Sequence, residues 1–166
     1  MTESAPHEPV HFNGLRSPLG EGEAFAHSDN AGFRTPLNVA GHGLVADEPV
    51  AVGGTDQGPS PYGLLSAALA SCTAMTLHAY AQRKALPVRD IRVLVRHDKV
   101  HEADCESCEK DAGAKIDRLE RRIWIDGELD EPVRARMMQI ADMCPVHRTL
   151  QASVRIVTVP ADAAMD

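Results

Sequence analysis

From Pro61 to Lys84 the chain runs PYGLLSAALASCTAMTLHAYAQRK, with no formal charge before Arg83. Ser60 followed by Pro61 suits an N-cap and a first helical turn, and Leu86-Pro87 brings the helix to an end. Small or apolar residues fall on nearly every face of such a helix, and a helix apolar all round is a buried one. Gly63, Ala67, Ala68, Ala70, Ser71 and Ala74 leave room for other backbones to come close. The segment therefore predicts a central helix wrapped by sheet or by a second subunit.

The remaining pattern is that of short strands and helices. Ala24–His27, Phe33–Val39 and Gly43–Ala46 are strand-like runs parted by turn signals at Asp29-Asn30, Gly41 and Asp47-Glu48-Pro49, which predicts a small antiparallel meander. After the helix, Ile91, Val93 and Val95 alternate with Arg92, Leu94 and Arg96; residues 116–126 alternate again through Leu119, Ile123 and Ile125. Together they predict a hairpin with a long, charged connection. Asp130 caps a second helix from Glu131, with Val133, Met137, Ile140 and Ala141 on one face. Residues 146–151 suit a further short helix, and the β-branched run Val154–Val159 suits a terminal strand. The fold class expected is α+β, with residues 1–22 a loose leader and residues 23–166 a single domain.

The net charge of −7 repels nucleic acid and anionic membrane surfaces, so neither is expected as a partner. The first 18 residues lack the apolar run of a signal peptide. No apolar stretch is read as approaching the roughly 20 residues that span a bilayer, and a cytoplasmic location is the expectation. In a reducing compartment the four cysteines, Cys72, Cys105, Cys108 and Cys144, are more suited to catalysis or metal binding than to structural bridging.

Cys72 sits mid-helix among apolar neighbours, where burial raises a thiol's pKa and the helix dipole contributes little. It is either a packed core thiol or a reactive one that needs a cation from elsewhere, for which Arg34, His42, His147 and Arg148 are candidates. Cys144 precedes Pro145. As the N-cap of the short helix its thiolate is favoured by backbone N–H groups; at the C-terminal end of the preceding helix the dipole opposes ionisation. Both placements remain open at this level. His97, His101, Asp104, Cys105 and Cys108 lie within twelve residues and could complete a tetrahedral zinc shell. Glu102, Glu106, Glu109, Lys110 and Asp111 in the same stretch favour a solvated connection instead, and neither metal nor cofactor is assigned.

Several runs carry a family resemblance: Asp47-Glu48-Pro49, Gly53-Gly54, Gly58-Pro59-Ser60-Pro61-Tyr62, Leu69-Ala70-Ser71-Cys72-Thr73-Ala74-Met75-Thr76 and Cys144-Pro145-Val146-His147. In this order they resemble the OsmC/Ohr family of osmotically induced and organic hydroperoxide resistance proteins, over roughly residues 33–159. The resemblance implies an intertwined homodimer whose central helices are flanked by antiparallel sheets, with active sites at the subunit interface. It also implies roles, with Cys72 as the peroxidatic thiolate and Cys144 as the resolving thiol. The better-characterised hydroperoxide reductases of the family carry a glutamate near the start of the central helix that pairs with a catalytic arginine. Here Pro61, Tyr62 and Gly63 occupy that turn and Arg34 is the candidate arginine, the pattern of a divergent OsmC-like branch.

The function implied is reduction of organic hydroperoxides in oxidative stress defence. It would run through a Cys72 sulfenic acid and a Cys72–Cys144 disulfide that a dithiol reductant reopens. The alternative is an OsmC-fold protein that binds a small ligand and has little peroxidase activity.

Overall fold

The computed structural model describes residues 19–101 and 115–160. Most of the expected leader, together with Asp104, Cys105 and Cys108, lies outside the described residues. The chain divides into two compact units, residues 1–61 with 156–166, and residues 62–155.

The first unit holds the meander: β1 (Ala24–Ala26), β2 (Thr35–Val39) and β3 (His42–Ala46) form an antiparallel sheet in that order. Val39 pairs with His42, so only Ala40 and Gly41 make the turn. Both have positive φ, 48° and 90°, as a two-residue hairpin requires. The Asn38 side chain holds the turn by accepting the Gly41 N–H at 2.8 Å. Beyond β3, the chain from Asp47 to Gln57 folds around one carboxylate. Asp47, 1% exposed, accepts the N–H of Glu48 on one oxygen. On the other oxygen it accepts the N–H and hydroxyl of Thr55 and the N–H of Gln57. The loop closes tightly enough that a Cβ on Gly54 would run into the Glu48 carbonyl, and one on Gly58 into that of Val45.

The second unit is built on α1 (Pro61–Arg83), followed by β4 (Val88–His101), β5 (Lys115–Gly127), α2 (Glu131–Ala141) and α3 (Pro145–Gln151). β4 and β5 form the expected hairpin, with Ile91 opposite Ile125, Val93 opposite Ile123 and Val95 opposite Arg121. Asp130 caps α2 as expected, its side chain accepting the Val133 N–H at 2.9 Å. Leu77 and Ala81 of α1 pack with Met137, Ile140 and Ala141 of α2, and Ile91, Ile123 and Ile125 of the hairpin close the cluster.

Within its own chain the central helix buries only Leu69, Thr73, Leu77 and Ala81, a single stripe at four-residue spacing. One hairpin and one helix cover one side of a cylinder, and Met75 stays 69% exposed. The same α1 is long and apolar enough to cross a membrane by length and composition, contrary to the expectation of no such stretch. Its alanines and serines keep its hydropathy modest, and core helices of soluble proteins meet the same criterion. Finally, residues 154–159 form no strand, and Ile156 is 86% exposed. β-branched composition favours an extended chain, but a strand needs an edge to pair with, and no pairing forms here.

Candidate functional site

Cys72 and Cys144 are both free thiols, and the structure brings them close enough for each to shift the other's acidity. Cys72 lies on α1 one residue before the buried stripe and is partly exposed; Cys144 is fully buried. Cys144 is the N-cap of α3, with φ −55° and ψ 130°, which settles the placement that spacing alone left open. Pro145 at the first helical position lacks an N–H and is preset for the turn, so the sulfur faces the N–H groups of Val146 and His147. These contacts fall short of a side-chain cap hydrogen bond and act on the sulfur electrostatically.

The two thiols are driven apart in acidity. Burial pushes Cys72 up and the Cys144 sulfur adds to it, outweighing the Val146 N–H and the Thr76 hydroxyl. Burial also works against ionisation of Cys144. There, however, the His147 N–H, the Cys72 thiol, the Thr73 hydroxyl and the Val146 N–H together prevail, and the thiol is held below its ordinary range. Two coupled acids of this kind titrate as a pair.

A cation stands behind this corner that sequence reasoning missed. Arg121 of β5 points inward with a side chain only 11% exposed. Its Nη1 donates to Thr73 Oγ1 at 3.1 Å and to the Ala141 carbonyl at 2.8 Å, and its Nη2 donates to Asp142 at 2.6 Å. The Ala141 carbonyl also accepts the N–H of Cys144 at 3.3 Å, so one guanidinium ties α1, the end of α2 and the cysteine corner together. A cation at the C-terminal end of α2 is also favoured by the helix dipole. The signal was present in the sequence: along Leu119, Arg121, Ile123 and Ile125 a charge interrupts the inward face of an alternating strand.

The other predicted residues are placed elsewhere. Arg34 donates to the Gln57 side chain at 3.0 Å within the first unit. Arg148 is exposed on α3, and His147 enters the site through its backbone N–H. His97 contacts Asp117 at 2.8 Å and stacks on Tyr62 with ring centroids 4.2 Å apart, so it is already engaged. Among the described residues no group of three His, Cys, Asp or Glu side chains could hold a metal ion. An open cavity of about 640 Å³ lies along the second half of α1 and the start of β4, lined by Met75, His78, Ala81, Leu86 and Ile91 among others; neither cysteine borders it.

Among curated proteins, none matches this chain. Solved structures do. An organic hydroperoxide resistance protein OsmC of Legionella pneumophila is 16% identical, with a TM-score of 0.56 over 78% of this chain and 88% of that one. An organic hydroperoxide resistance protein of Elizabethkingia anophelis is 15% identical, with a TM-score of 0.58 over 77% and 86%. A Psychrobacter arcticus protein assigned to osmotic stress induction and detoxification response is 20% identical, with a TM-score of 0.61 over 79% and 89%. At these identities the likeness shows a shared fold, the expected α+β arrangement of helices with antiparallel sheets. Residues 54–159, more than half of the chain, match the OsmC-like protein family, and the chain belongs to that family.

Proposed function

We propose that this protein reduces organic hydroperoxides with Cys72 and Cys144 as its redox pair. The observation that carries the reading is the pairing of a partly exposed thiol on α1 with a buried thiol at the N-cap of α3, near enough to couple in acidity. A thiol pair held this near can form a disulfide without refolding the chain around it. Exposure assigns the roles: a bulky peroxide reaches Cys72, while Cys144 is enclosed.

The Cys72 sulfur attacks one peroxide oxygen, the O–O bond breaks, and the other oxygen leaves as an alcohol. Cys72 is then a sulfenic acid. Cys144 attacks the Cys72 sulfur, the S–S bond forms, and the hydroxyl departs as water. The pair has lost two electrons and the peroxide has gained them; a dithiol reductant reverses the oxidation by exchange. The apolar side chains of α1 suit alkyl or lipid hydroperoxides over hydrogen peroxide.

The protein acts as a homodimer in this reading, since α1 leaves Met75 and most of its small residues uncovered in one chain. Sedimentation of a stable folded monomer at micromolar concentration would remove that element. We also place it in the cytoplasm, where dithiol reductants are at hand.

The deciding experiment is turnover of cumene hydroperoxide with a dithiol reductant. Cys72→Ser is expected to abolish it, while Cys144→Ser still yields a trappable sulfenic acid at Cys72. Wild-type turnover in Cys72→Ser overturns the reading. The open cavity beside α1 favours a second reading, a binder of a small apolar ligand. Protein that consumes no hydroperoxide with any dithiol, yet binds a fatty-acid probe there, would establish it.

A further inference from the structure

We propose that Arg121 is a positioning residue for the redox pair: it clamps the stretch of α1 that carries Cys72 to the end of α2 that leads into Cys144, and so sets how fast the disulfide closes and how firmly it holds. This rests on the peroxide-reducing reading above and concerns its second step, the closing of the S–S bond.

The hydrogen bonds carry the argument. Cys72 and Cys144 sit on segments 72 positions apart, and a disulfide tolerates only a narrow range of Cβ separations, about 3.5 to 4.5 Å. Packing of Leu77 and Ala81 against Met137, Ile140 and Ala141 presses α1 and α2 together, but apolar attraction has no direction. Arg121 adds the direction. Its Nη1 donates to Thr73 Oγ1 at 3.1 Å, on the residue next to Cys72, and to the Ala141 carbonyl at 2.8 Å. That carbonyl also accepts the Cys144 N–H at 3.3 Å, so one oxygen joins the guanidinium to the backbone of the second cysteine. Nη2 donates to Asp142, the C-cap of α2, at 2.6 Å. A guanidinium is a planar fork, so its three partners are held in a fixed relation that a flexible ammonium does not impose. Thr73 and Ala141 are fully buried and the Arg121 side chain is 11% exposed, so little water competes for these bonds. The Asp142 carboxylate already answers the charge of Arg121; what the arginine supplies to the pair is geometry.

The step it serves balances. Once a peroxide has oxidised Cys72 to the sulfenic acid, the Cys144 sulfur bonds to the Cys72 sulfur, the S–O bond breaks, and the hydroxyl leaves with the Cys144 thiol proton as water. No further oxidant is consumed. Arg121 is no reactant; it keeps the Cys144 corner from drifting away from α1. Without the guanidinium, Asp142 returns to water and the Thr73 hydroxyl can bond back to its own helix, so the corner loosens while the fold persists.

The test separates the two steps of one turnover. After mixing with cumene hydroperoxide, dimedone-trappable sulfenic acid at Cys72 reports the first step, and the Cys72–Cys144 disulfide, mapped by peptide mass spectrometry, reports the second. Arg121→Met is expected to form the sulfenic acid at close to the wild-type rate and to close the disulfide roughly 100-fold more slowly, the scale of a misplacement of about 1 Å. Closure at the wild-type rate, or equal slowing of both steps, overturns the proposal. Thr73→Val removes the acceptor on α1 and should slow closure as well, while Thr73→Ser should restore most of it; equal closure in the two overturns the clamp even where Arg121→Met fails to fold. Arg134→Met is the control for a merely structural loss. Arg134 ties the opposite end of α2 to the hairpin through the Ile125 and Gly127 carbonyls, at 2.8 and 2.9 Å. Its loss should lower the urea midpoint and leave closure unchanged; closure slowed as much as in Arg121→Met overturns the proposal. A further readout needs no peroxide: equilibrium with reduced and oxidised glutathione, in which each disulfide formed turns one oxidised glutathione into two reduced. Arg121→Met should shift that equilibrium toward the dithiol by roughly tenfold or more, about 30 mV for a two-electron couple. An equilibrium equal to that of the wild type, or of Arg134→Met, overturns the proposal. If the wild type proves inert to peroxide the function reading falls, and the glutathione equilibrium still decides the clamp.

Discussion

Each compact unit buries an ionisable side chain, and the two are solved differently. In the first unit, Asp47 has four donors aimed at its carboxylate. The Thr55 hydroxyl leads, with the N–H groups of Gln57, Glu48 and Thr55, and they hold its pKa down to about 2 against the cost of burial. Its charge is fixed at any physiological pH, and it serves as a staple for the loop that follows β3. In the second unit, Cys144 is buried with the Cys72 thiol coupled to it, and burial works against the charge of both. A satisfied anion gives rigidity; a coupled pair leaves two thiols whose charge is not fixed, which is what thiol chemistry needs.

The comparison breaks most sharply in activity. Cys72→Ser should remove peroxide turnover while shifting the urea midpoint little, because a serine replaces a partly exposed thiol. Asp47→Asn should do the reverse. An amide nitrogen in place of either carboxylate oxygen sets donor against donor, so the urea midpoint falls, measured beside residual peroxide turnover. A loss of turnover in Asp47→Asn as deep as in Cys72→Ser would erase the distinction.

A core change gives the scale for stability. Leu77→Ala removes a fully buried side chain from the cluster between α1 and α2 and should cost about 2–5 kcal/mol by urea unfolding.

Acid sharpens the contrast next. The Asp47 carboxyl is held below its ordinary 3.8, so its stabilisation is complete above that pH and is lost as pH falls toward about 2. The difference in urea midpoint between wild type and Asp47→Asn should be constant from pH 7 to about 5 and shrink between about pH 4 and 2. A difference independent of pH in that window would mean that the donors do not favour the charged form.

The smallest effect belongs to exposed carboxylates. Asp98 meets Arg118 at 2.7 Å and its pKa is also lowered, the Arg118 hydrogen bond leading. Both side chains are solvent-accessible, so Arg118→Ala should leave the urea midpoint close to that of the wild type.

What could be read from the sequence was what local chemistry decides. The uncharged run of α1, the Asp130 cap and the turn at Gly41 each depend on residues within a few positions of one another. The ordered pair Cys72 and Cys144-Pro145 pointed to the site through resemblance, since 72 positions separate the thiols and no spacing rule joins them. Arg121 escaped because its partners, Thr73 and Ala141, are 48 and 20 positions away, although the interrupted alternation in β5 marked it. The setting of the two thiols depends on groups from α1 and α3 converging on them, which no linear pattern encodes. Residues 154–159 were misread because composition reports a preference for extension and says nothing about a pairing edge.

The most direct test of the central claim is to add one equivalent of cumene hydroperoxide to the fully reduced protein and map its cysteines by peptide mass spectrometry. The account predicts a Cys72–Cys144 disulfide, two thiols lost per peroxide consumed, and arrest at a Cys72 sulfenic acid in Cys144→Ser. Thiols left unchanged, or a bond that forms between Cys105 and Cys108 instead, would contradict it.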